Sequence, residues 1–144
     1  MDRPRLRWYL WAERTGRVAL QVDYGQAQIQ AFNDAAASGN LEFDEGVVRE
    51  VVRQLDTVID GLQAEIRTVD AECRLDGMGG FRSSRQLGQG FTWKAEQYQE
   101  VLQQHVAGAM RLQEAFLRAA GLFEEADGRH AAAFRVLGDS MEAT

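Results

Sequence analysis

The chain has 144 residues, 45% of them apolar, and one proline, which suits a single helical domain with a real core. Its formal charge of −6 is uneven, because residues 41–76 hold ten acids against four arginines; that excludes nucleic acid as a partner of this stretch, since phosphate binding needs a basic face. The single cysteine, Cys73, excludes an internal disulfide, and no apolar run is long enough to cross a bilayer.

Residues 1–42 read as a partly ordered N-terminal segment. Arg3, Arg5 and Arg7 precede Trp8, Tyr9, Leu10 and Trp11, an opening like that of a signal peptide. Glu13 and Arg14 end the apolar run too early and no small-residue cleavage site follows, so the general export route is not expected. Val18, Leu20 and Val22 alternate as in a short strand. The Ala- and Gln-rich run 26–37 predicts a short helix, and Ser38, Gly39 and Asn40 break it.

The first long helix is expected over 44–74, with Asp44 as N-cap and Glu45 in its positive first turn. Steps of three and four join Val48, Val52, Leu55, Ile59, Leu62 and Ile66, then Val69 and Cys73, on one stripe. Cys73 in that stripe reads as a small buried apolar residue. A glycine-rich break runs from Gly77 to Gly90, with Gly79, Gly80 and Phe81 at the turn and Phe81 and Leu87 tucked against the hairpin tip. It lacks Gly-x-Gly-x-x-Gly and Gly-Lys-Ser/Thr and follows a helix, so it is not a phosphate loop.

The second long helix is expected over 91–138, followed by a tail at 139–144. Its stripe carries Tyr98, Leu102, His105, Leu112 and Phe116, then Phe123, His130 and Leu137. The fold class is thus all-α: an antiparallel hairpin over 43–138 whose seam is built by Leu55, Ile59, Leu62, Ile66, Tyr98, Leu102, Leu112 and Phe116. At 1.5 Å per residue the first helix is about 43 Å long and the second about 70 Å, so the first covers the second only to about residue 120. Part of residues 1–42, or a second polypeptide, is expected to cover the rest.

Candidate chemistry is sparse. His105 and His130 are expected as hydrogen-bonded seam residues; they lie too far apart on one helix to share a site. Asp127 and His130 form an acid–histidine pair like one half of a di-iron motif, but the position three before His105 is Leu102 and no second copy exists. Trp93 is expected to pack on the glycine loop. No nucleophile stands beside a base, so neither an enzyme nor a cofactor is expected.

The acidic opening Phe43-Asp44-Glu45, the turn Gly79-Gly80-Phe81 leading to Phe91 and Lys94-Ala95, and the run from Ala119 to Asp127 together resemble the Trp-x-Gly (ESX) helical-hairpin substrates of type VII secretion. The resemblance covers residues 43–138 and is to the longer actinobacterial relatives. It implies a non-enzymatic hairpin that binds another helical-hairpin protein or itself and is exported without a signal peptide, with a secretion ATPase as a further partner. It also implies an export signal of an aromatic and an acid four apart, here Phe123 and Asp127. The family's tyrosine is replaced by Phe123, and no Trp-x-Gly stands in the turn. The alternatives are a cytoplasmic self-associating scaffold or regulatory bundle, and a metal-carboxylate bundle using Asp127 and His130.

Overall fold

The computed structural model describes residues 21–73 and 79–142. Among these the protein is all-α, with four helices: α1 (Gln26–Ala37), α2 (Glu45–Glu72), α3 (Arg82–Ala119) and α4 (Phe123–Glu142). The arginines and tryptophans of the first twenty residues, the alternation at Val18 and Leu20, and Gly77 all lie outside the described residues.

Each helix has a local reason for its ends. Gly39, at a φ of 78°, follows α1, and the amide of Asn40 reaches back to the carbonyl of Ala35 at 3.0 Å. Asp44 caps α2 by accepting from the Val47 amide at 3.2 Å. Gly121, at a φ of 79°, closes α3: its own amide donates to Arg118 at 3.0 Å and the Leu122 amide to Leu117 at 2.9 Å. That paired pattern is a glycine C-cap, and Leu122 packs beside Leu117 as such caps require.

This cap corrects the expectation of one helix over 91–138. The chain turns back at Ala120–Leu122, and α4 runs antiparallel down α3. Ala126 lies in a core cluster with Leu117, His130 reaches Glu114, and Ala133 packs with Val106 and Met110. No C-terminal overhang is left, because the stripe from Ala126 to Leu137 is buried on its own hairpin. Ala126 and Ala133 on α4, with Ala107 and Ala115 on α3, are almost wholly buried, and such small side chains let two helices approach closely.

The start of α3 needs a second correction. The helix begins at Arg82, nine residues before the expected Phe91, and runs through Gly88 and Gly90. Each glycine costs roughly 1 kcal/mol relative to alanine, too little to interrupt a helix with no proline in it. Phe81 and Leu87 are not tucked in; they are 79% and 52% exposed. Cys73, expected in the seam, is the exposed C-cap of α2.

All three other helices pack on α3. α2 is antiparallel to it, with Val48 beside Leu117 at one end and the Ile66 carbonyl accepting from Gln99 at 3.0 Å toward the other. α1 is parallel to it: the Val22 amide donates to Gln104, Asn33 to the Arg111 carbonyl, and Phe32 stacks edge-on against Phe116. Burial on α3 is therefore lopsided. Of its buried residues, only Gly88 precedes Leu102.

Candidate functional site

The seam residues read from the sequence do not behave alike. Ile59 and Leu102 are buried, and Leu62 and Ile66 pack half-buried against the cluster around Val106 and Met110. Leu55 and Leu112 are half-buried, and Phe116 is covered by the rings of Phe32 and Phe43 at 4.9 and 5.8 Å. Tyr98, by contrast, is 46% exposed and outside the seam, because neither α1 nor α4 extends that far along α3. Trp93, expected against the glycine loop, is likewise 46% exposed on α3.

At the turn, Gly79 takes a φ of 95°, a left-handed conformation that favours glycine. Gly80 and Phe81 follow it, exposed, and Phe81 is the N-cap residue of α3 without a side-chain hydrogen bond.

Phe123 and Asp127 stand one turn apart at the start of α4. Phe123 is 57% exposed, and Asp127 holds Arg118 of α3 at 3.3 Å. Phe134, 74% exposed, continues the same stripe at i+7 from Asp127. This surface of α4 therefore shows two aromatic rings with a carboxylate between them. Asp127 is not paired with His130, so the two do not form the acid–histidine unit of a metal bundle. Among the described residues no cluster of three or more histidines, cysteines or acids could hold a metal ion.

The polar centre of the fold is elsewhere, at Glu114, which the sequence reading passed over. Its side chain is fully buried on α3, yet it carries a charge that must be paired there. Arg111 and Arg118, three before and four after it on the same helix, both reach its carboxylate, Arg118 at 3.6 Å. His130 brings Nδ1 to 2.6 Å from Glu114 Oε1 and to 2.8 Å from Arg111 Nη1. The ring nitrogen donates to the first or accepts from the second, never both at once. Arg111 also donates to Gln30 at 2.6 Å, so one guanidinium spans α1, α3 and α4. The signal for this site was present as Arg111-x-x-Glu114-x-x-x-Arg118, an acid flanked by two cations on one face.

His130 is thus hydrogen-bonded as expected. His105 is exposed and off the seam, with Nδ1 2.8 Å from the Val101 carbonyl oxygen and its ring beside Tyr24. Across α2 and α4, Arg49 pairs with Glu125 at 3.1 Å and Arg129 with Asp56 at 3.3 Å. The Glu125 hydrogen bond, aided by Glu45, raises the Arg49 guanidinium above its ordinary value, so it stays charged wherever the fold exists.

None of these groups forms a nucleophile–base pair; they tie helices together, and the outward stripe on α4 is what the fold offers to another molecule. No helix among the described residues is long and apolar enough to cross a membrane. Compared with protein-family models, curated proteins and solved structures, the chain matches none.

Proposed function

We infer that this protein works by helix–helix association rather than catalysis, as a substrate or substrate-associated partner of an ESX-like type VII secretion system. The observation that carries the reading is the α4 stripe of Phe123, Asp127 and Phe134, two exposed rings flanking a carboxylate on an ordered helix. An aromatic and an acid one turn apart is the form of export signal that the Trp-x-Gly resemblance implies, and it needs a helix to bring the two side chains onto one patch. The reader of the patch is a secretion ATPase, and the companion is another helical-hairpin protein or a second copy. The protein then leaves the cell without a signal peptide.

Export from an intact host tests this. The native chain is expected in the culture medium, and absent from it when the type VII ATPase is deleted. Phe123→Ala with Asp127→Ala is expected to stay inside while keeping its helical circular dichroism. Export that ignores either change overturns the reading. Phe134 lies outside the two-residue signal yet is the most exposed aromatic of α4, which favours a second reading, a cytoplasmic self-associating scaffold. A stable dimer lost on Phe134→Asp, with no export, selects that one.

A further inference from the structure

One stripe of α3 runs Leu87, Phe91, Tyr98, His105, Leu112, Phe116, in steps of four and seven. Its second half is roofed by aromatic rings from the preceding chain. Tyr24 lies over His105 at 6.2 Å and over Gly108, where an added Cβ would stand 2.7 Å from the tyrosine ring. Phe32 and Phe43 cover Phe116. Its first half is bare among the described residues: Leu87, Phe91 and Tyr98 are 52%, 51% and 46% exposed. The roof is built from successive residues running parallel to α3, so the chain upstream of Tyr24 arrives from the bare end, past Val22 on Gln104.

We propose that residues 1–20 complete this roof, laying Trp8, Tyr9 and Trp11 along Tyr98, Phe91 and Leu87. Reach permits it. From Gln104 back to Phe91 is about 20 Å of helix, and the fourteen residues from Val22 back to Trp8 cover roughly 21 Å even as a helix. Charge favours it. Residues 1–20 carry five arginines against Asp2 and Glu13, a balance of +3, and the stretch 41–76 that forms the other rod of this hairpin carries −6. A second copy would set acidic α2 helices side by side on the same face, so the occupant is the chain's own basic, aromatic segment. This assignment does not depend on whether the protein is exported.

The test uses the full chain with Trp93→Phe, which leaves Trp8 and Trp11 as its only tryptophans. Acrylamide should quench their fluorescence several-fold less than it quenches a free tryptophan amide. Adding Phe91→Asp and Tyr98→Asp, both at exposed positions, should restore free quenching with the helical circular dichroism unchanged. Should those aspartates reduce the helix signal, Phe91→Ser with Tyr98→Ser replaces them, with the same expectation. Raising the salt should also loosen the segment and increase quenching. Free quenching in the parent chain, protection indifferent to the changes at Phe91 and Tyr98, or protection that appears only as the sedimenting mass doubles would each overturn the proposal.

Discussion

Glu114 shows how one side chain sets the terms for its neighbours. A carboxylate with no solvent contact persists only because Arg111, Arg118 and His130 surround it. Glu114→Gln keeps the shape, removes the charge, and strands two guanidinium groups against the core. The loss should be about 2–4 kcal/mol, below the ~3–5 of a fully buried pair because both arginine side chains keep about a fifth of their exposure. A lower urea midpoint at unchanged slope would show it; an unchanged midpoint would mean the arginines turn out to water. At the same scale Gly108 admits the Tyr24 ring, a requirement invisible to any pattern of apolar residues. The residues that packing needs were readable where they repeat, as at Ile59 and Leu102. They were unreadable where one contact across helices decides the matter.

At the scale of elements, the capped start of α2 follows directly from Phe43-Asp44-Glu45. The fold-back at Gly121 was on the page as Ala119-Ala120-Gly121-Leu122, yet periodicity hid it. The three-residue turn keeps the step of three and four between Ala119, Phe123 and Ala126, so the stripe reads through the break as if the helix continued. Only the cap itself, glycine followed by an apolar residue, distinguishes two helices from one. Gly121→Ala should therefore cost about 1–2 kcal/mol, since alanine resists a positive φ. Gly61→Ala, at an open, exposed position within α2, should instead stabilise by up to about 1 kcal/mol. Opposite shifts in melting temperature for these two variants would check the cap; shifts of the same sign would sink it.

For the whole molecule, all-α class and antiparallel pairing of the acidic rod with a longer one could be inferred from lengths and stripes. Which end lacks cover could not, because the answer depended on the hidden turn: α4 shields the end thought bare, and the aromatic stretch near Arg82 is left instead. Ion pairs between α2 and α4 add little to holding this arrangement, about 0–1 kcal/mol each at such exposure. Burial of residues such as Leu117, Val106 and Val48 supplies most of it, at roughly 1.5–3 kcal/mol each.

Because α3 is the common strut of every helix pair, resistance to opening should be graded along it. Its amides from Leu102 to Leu117 sit where three neighbours converge, and should trade hydrogen for deuterium only when the entire molecule unravels. Amides from Arg85 to Gln97 lean on one neighbour and should exchange sooner, by local fraying. A uniform exchange rate from end to end would mean that the strut melts as one piece, and that its crowded half lends no endurance to the other.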